Sequence, residues 1–194
     1  LFDPDRPTPV PVDLGPGRPG IGFVGTLWGR WIDFALLAEL ADAFPSASIH
    51  LVGPGPSRPP FERPNVHWLG GKPHHEIPAY VRSFDVALIP FVESRLTEAV
   101  SPLKAYEYLA MGKPVVSTPL PDLAGVPGVR IAARGPAFRD AVAEAASRGI
   151  DRARVASFVS RHTWSERVDR LWPVLFGSER ESELVRAEIH GGAG

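Results

Sequence analysis

The 194-residue chain contains no cysteine, which removes disulfides and thiolate chemistry from consideration. No apolar run approaches the roughly 18 residues of a membrane span, and no signal-peptide pattern is visible. Both fit a cytoplasmic protein. The net charge of −1 gives no general pull toward nucleic acid or anionic membrane. Internal repeats and low-complexity blocks are missing, and no carboxylate pair has metal-ligand spacing. His74 and His75 are adjacent, so they face apart on a helix and read as surface histidines at a helix start. What remains is globular: 44% hydrophobic residues, enough to bury the core of one sizeable domain. Abundant Ala, Arg, Pro and Gly with few Lys suggest a GC-rich bacterial source.

Residues 1–20 are rich in Pro and Gly without periodicity and read as an extended linker. Short apolar runs predict strands at 21–24, 49–52, 66–69, 85–90 and 129–132, and Val115 and Val116 begin another. Helical spacing predicts helices over 31–44, with Ile32, Leu36, Leu37 and Leu40 on one face, and over 136–148, with Phe138, Val142 and Ala145 inward. A helix over 151–159 is capped by Asp151, and a further one starts at Thr163 with Trp164, Val168, Leu171 and Leu175 on its face. Residues 91–100 read as a polar loop holding Glu93, Arg95 and Glu98, and residues 177–194 as a polar tail. Alternating strands and helices imply an α/β, doubly wound, Rossmann-like domain over 21–176, with a mostly parallel sheet of about six strands covered on both faces.

The stretch from Ser101 to Pro119 organises the rest. Ser101 suits an N-cap, and Pro102 the first helical position. Leu103, Tyr106, Leu109, Ala110 and Met111 form an apolar stripe. Gly112 closes the helix, and Pro114 forbids its continuation. Lys104 is badly placed, because a helix start prefers acids. Two readings stand side by side: a solvated pair with Glu107 one turn on, or a site that an anion shares with the helix N-terminus. A carboxylate at Glu107 facing that ligand accepts two hydroxyls, as a ribose diol offers.

The segment SPLKAYEYLAMGKPVVSTPLP resembles the nucleotide-sugar-binding segment of GT-B glycosyltransferases of the group 1, family 4-like kind. Glu107, Ala110, Gly112, Pro114, Val115 and Val116 match its acidic helix followed by Ala-x-Gly-x-Pro-Val-Val. The resemblance implies that Glu107 binds the donor ribose, and that Lys104 with Ser101, Pro102 and Leu103 binds the diphosphate. The family's first glutamate is replaced by Ala99, with Glu98 one residue off, and its Gly-Phe-Gly turn reads Val100-Ser101-Pro102. The strand, glycine loop and helix around GFVGTLWGR have the layout of a phosphate-facing turn, in which Thr26 and Arg30 are candidates. NVHWLGGKPHHEIPAYVRSFDVALIP is similar to the family's base-contacting loop and its flanks, pointing to Leu69, Gly71 and Lys72. LFDPDRP resembles the crossover peptide between GT-B halves.

The implied protein is the C-terminal, donor-binding half of a bacterial glycosyltransferase. It transfers sugar from a UDP- or GDP-sugar to an acceptor hydroxyl in polysaccharide or cell-envelope glycan synthesis, with no cofactor and no metal. Its expected partner is an N-terminal acceptor domain, without which the fragment is inactive. Any membrane association would come through that half. A sugar-nucleotide epimerase shares the architecture. A flavodoxin-like binding module would want acidic residues at the first strand ends, which GFVGTLWGR lacks.

Overall fold

The computed structural model describes residues 1–56, 60–98 and 102–162, together with 166, 168, 169, 171 and 172. Six strands, β1 (Gly20–Val24), β2 (Ser48–Val52), β3 (Val66–Gly70), β4 (Val86–Ile89), β5 (Val115–Ser117) and β6 (Val129–Ile131), form one sheet in the order β3-β2-β1-β4-β5-β6. Every neighbouring pair is parallel. The helices among the described residues are α1 (Phe34–Ala43), α2 (Ile77–Arg82), α3 (Arg95–Glu98), α4 (Leu103–Ala110), α5 (Pro136–Arg148) and α6 (Arg152–Ser160).

Side chains alternate across the strands. Ile21, Phe23, Ile49, Leu51, Val86, Leu88 and Val116 form one core with Leu36, Leu37 and Leu40 of α1 and Phe138, Val142 and Ala145 of α5. The opposite face is less apolar. Gly22 of β1 has no side chain, and the Phe84 ring occupies that space. Ser48 and His50 of β2 are buried there. The chain preceding β1 supplies partners to both: Gly17 N–H donates to Ser48 Oγ at 2.8 Å, and Gly15 N–H to His50 Nε2 at 3.0 Å, while His50 Nδ1 is buried without a partner among the described residues. The segment expected as a linker has no regular structure through Pro19, yet it is packed onto the sheet. The Arg82 guanidinium holds it, donating to Thr8 Oγ1, to Pro4 O and Asp3 O, and to Arg6 O.

Several boundaries differ from the sequence reading. The first helix starts at Phe34 rather than Trp31, because Asp33 is its N-cap and accepts the Leu36 N–H at 2.9 Å. Trp31 and Ile32 instead bond the loop after β4: Val92 N–H donates to Trp31 O, and Ile32 bridges Phe91. The loop after β4 is not wholly irregular, since it contains α3. The helix over 136–148 has the bounds expected.

The chain divides into Leu1–Ala156 and Ser157–Gly194. In the second unit the Phe158 and His162 rings stack at 4.0 Å. Thr163, Trp164, Leu175 and the tail 177–194 lie outside the described residues. Val168 and Leu171, expected on an inward face, are exposed. No helix among the described residues is long and apolar enough to cross a membrane.

Candidate functional site

A parallel sheet of this order has a switch point between β1 and β4, where successive connections leave in opposite directions. A crevice opens there, outside the carboxyl ends of the strands. Two loops form its rim, one after β1 and one after β4. They are zipped together by Asp33 N–H to Pro90 O at 2.8 Å and Val92 N–H to Trp31 O at 2.9 Å. Thr118, beyond β5, pins the same rim, accepting Phe91 N–H and donating to Phe91 O. Helix α4 follows the β4 loop and starts at this crevice.

α4 is anchored by a residue outside the expected stripe. Ala105, Tyr108 and Leu109 are its buried positions. Leu103 is 45% exposed and Tyr106 half-buried, so the helix is rotated from the orientation expected. The reason is the Tyr108 hydroxyl, which accepts the Val24 N–H at 2.8 Å and donates to Val24 O at 3.3 Å. Val24 ends β1, and these bonds satisfy backbone groups that the strand leaves unpaired. Burial pushes the Tyr108 phenol well above its ordinary pKa, so it remains a neutral donor. At the far end Gly112 adopts φ 68° and Lys113 N–H bonds Tyr108 O at 3.0 Å, which closes the helix as expected.

This rotation sets Lys104 and Glu107 at the margin of the buried face, both half-buried. The lysine stem crosses the β1 loop: a Cβ added to Gly25 would lie 2.8 Å from Lys104 Cε. The neighbouring loops close up beneath it. Gly25 N–H donates to Val52 O at 2.8 Å, Leu27 N–H to Pro54 O at 2.7 Å, and Gly53 N–H to Gly70 O at 2.8 Å. A Cβ on Gly53 would collide with Gly25 O, so only glycine allows the two backbones to meet. Lys104 has no ion pair among the described residues, with Glu107 or any other, so the surface-pair reading is not what the fold builds. A cation lies beside a helix N-terminus, on glycine backbone, without a carboxylate partner among the described residues; that arrangement suits an anion.

The other expected residues divide. Pro102 is buried but occupies the cap position instead of the first turn, and Ser101 lies outside the described residues. Thr26 and Arg30 are exposed on the β1 loop; Arg30 precedes the observed helix by four residues and does not start it. Leu69 is half-buried near the end of β3, and Gly71 is exposed just beyond it. Lys72 turns away, into an ion pair with Asp13 at 2.6 Å. Glu93 and Arg95 are exposed, whereas Thr97, which the sequence did not single out, is buried and exchanges hydrogen bonds with Ser94. The serine–threonine spacing of three, typical of a helix start, was the available signal. Among the described residues no group of three His, Asp or Glu side chains could hold a metal ion.

Comparison with known proteins places this geometry. Residues 18–151 match the family described as glycosyl transferases group 1. The chain is 37% identical over 113 residues to a Bacillus subtilis (strain 168) protein named for teichuronic acid biosynthesis, the glycosyltransferase TuaH; the match covers 54% of this chain and 28% of that one. It is similar in structure to sucrose-phosphate synthase from Thermosynechococcus elongatus, with a TM-score of 0.56 and 19% identity over 94% of this chain and 47% of that one. It is also similar to Anabaena HepE, solved in complex with UDP and glucose, with a TM-score of 0.51 and 14% identity over 75% and 48% of the two chains. The chain spans less than a third of the TuaH relative and about half of each structural neighbour. The six-stranded parallel sheet, the crevice at its switch point and the match over 18–151 agree: this chain belongs to the glycosyl transferases group 1 family and has the fold of a GT-B glycosyltransferase domain.

Proposed function

We infer that this chain is the donor-binding half of a glycosyltransferase and holds a nucleoside diphosphate sugar at the β1–β4 crevice. The observation that carries the reading is Lys104, laid over Gly25 at the start of α4 with no ion-pair partner among the described residues. In this reading Lys104 and the first turn of α4, with Ser101, Pro102 and Leu103, take the diphosphate. Glu107, one turn further, takes the ribose hydroxyls, and the backbone of Leu69–Gly71 meets the base. Thr26 and Arg30, exposed on the β1 loop, are the further candidates for the phosphates. The chemistry asked of the protein is positioning and stabilisation of the leaving diphosphate. A lysine and a helix N-terminus supply positive charge there without a metal ion or cofactor. Membership of a glycosyl-transfer family favours transfer over isomerisation.

In this reading an N-terminal acceptor-binding half supplies the other wall of the site. Alone, the chain would bind donor without transferring sugar. The TuaH name supports a role in cell-envelope glycan assembly, and the UDP complex of HepE makes UDP the first nucleotide to try. Use of a nucleotide-sugar donor supports a reaction on the cytoplasmic side.

Calorimetric titration with UDP and with its 2′,3′-dideoxy counterpart tests the assignment of Glu107. A hydrogen bond to a charged group contributes about 1.5–3 kcal/mol, so Glu107→Ala should weaken UDP about ten- to a hundred-fold. The dideoxy ligand should bind both proteins alike. Equal losses for the two ligands would remove Glu107 from the ribose.

A further inference from the structure

Lys72 ends the loop expected to meet the base, but its ammonium points elsewhere. Nζ lies 2.6 Å from Asp13 Oδ2 and 5.3 Å from the centre of the Tyr80 ring. The Tyr80 hydroxyl lies 3.0 and 3.2 Å from the two oxygens of the same carboxylate and donates to it. Asp13 belongs to the segment before β1, Tyr80 to α2 and Lys72 to the loop after β3. One carboxylate therefore ties three parts of the chain. Burial alone would raise the Asp13 carboxyl, but hydrogen bonds from Lys72 and Tyr80 outweigh it and hold the group below its usual range. The same hydrogen bond raises Lys72. An ordinary exposed ion pair contributes little. This one is partly withdrawn from solvent, with the lysine side chain 19% and the aspartate 35% exposed, and it has a third, buried partner in Tyr80.

The knot is two residues from Gly70, and the contacts continue inward from there. Gly70 O accepts the Gly53 N–H, Gly53 rests on the Gly25 backbone, and Gly25 lies under the Lys104 stem. Backbone contacts tie Gly70 to Gly53 and Gly53 to Gly25, the second too close to admit a side chain, whereas Lys104 meets Gly25 only through its flexible stem, so a shift at Gly70 is felt in the loops and largely absorbed before the Lys104 ammonium.

We propose that Asp13 is a positioning residue for the donor pocket, acting through Lys72 and Tyr80 to fix the loop at Gly70 and Gly71, so that nucleotide occupancy and the seating of the segment before β1 are coupled. The proposal rests on the nucleotide-sugar reading. It assigns Lys72 to the loop's geometry and leaves the loop backbone as the surface offered to a base.

The test uses the chain as it stands, with UDP and inorganic pyrophosphate as probes and amide hydrogen exchange at residues 70–72 as a readout that needs no ligand. Couplings of this kind are about 5- to 150-fold. Asp13→Asn should weaken UDP about tenfold, leave pyrophosphate within about twofold, and speed exchange at 70–72 in the free protein. Tyr80→Phe, which keeps the ion pair, should give a smaller loss of the same selectivity. Equal losses for UDP and pyrophosphate in both variants would overturn the proposal, because that pattern belongs to general destabilisation. So would unchanged exchange at 70–72 in Asp13→Asn. If the wild-type chain binds no UDP, the donor reading falls on that result, while the exchange comparison still decides whether Asp13 positions the loop.

Discussion

Replacing Tyr108 with Phe removes one oxygen atom and tests the anchoring of α4 against β1. Tyr108 is fully buried, and the ring keeps its volume in the variant, so no cavity is opened. What is lost is the acceptor of the Val24 N–H, at 2.8 Å, and a longer donor to Val24 O, at 3.3 Å. An unsatisfied buried donor costs about 1–3 kcal/mol, and the weaker second bond adds less, so the expected destabilisation is about 2 kcal/mol. For a domain of this size that lowers Tm by about 4–8 °C. Urea unfolding followed by circular dichroism should show a lower midpoint with an unchanged m-value. A second consequence is specific to the site. Lys104 lies one turn before Tyr108, so loosening the anchor should weaken pyrophosphate more than uridine. A stability change below about 0.5 kcal/mol, the usual scatter of inert surface substitutions, would refute the claim that the hydroxyl anchors the helix.

Lys104→Glu should leave stability nearly unchanged, since acids suit a helix start, and should abolish the preference for diphosphate over nucleoside in calorimetry; a mutant that keeps the preference returns Lys104 to the surface. His50 gives a pH signature. It is 1% exposed, and burial first, then the charge of His67, lowers its pKa to about 4. The unfolded chain binds that proton near the ordinary imidazole value of 6.5, so the native state is favoured in full above 6.5 and loses about 3 kcal/mol as pH falls toward 4. Urea midpoints across that window should slope upward with pH and flatten in His50→Phe; an equal slope in both proteins would exclude His50 as the source.

The alternation of strands and helices, the closing glycine of α4 and the span of α5 were legible because each depends on local spacing. The rotation of α4 was not. Leu109 and Met111 of the expected stripe are buried, but Leu103 and Tyr106 extend Leu109 into as good a helical stripe as Ala105 and Tyr108 do, and the choice is made by a hydroxyl meeting the end of a strand far away in the chain. The start of α1 was misplaced because Trp31 and Ile32 have helical spacing but find backbone partners in the loop after β4. Lys72 was legible as a loop residue near the site, while its partner Asp13, 59 positions earlier, was not. Lys104 is the candidate that local reasoning alone could nominate. Its charge contradicts its position in the helix, a conflict visible without any long-range contact.

The polar groups of β2 bear on where the folded domain begins. Composition alone puts the boundary at Gly20, where proline and glycine give way to apolar strand. A fragment trimmed there would begin with a sheet whose Ser48 hydroxyl and His50 ring had lost the amides of Gly17 and Gly15. The Arg82 guanidinium would likewise lose the carbonyls it holds together. A proline- and glycine-rich lead-in can thus be a structural layer in disguise, and a fragment meant to keep this sheet intact has to carry it.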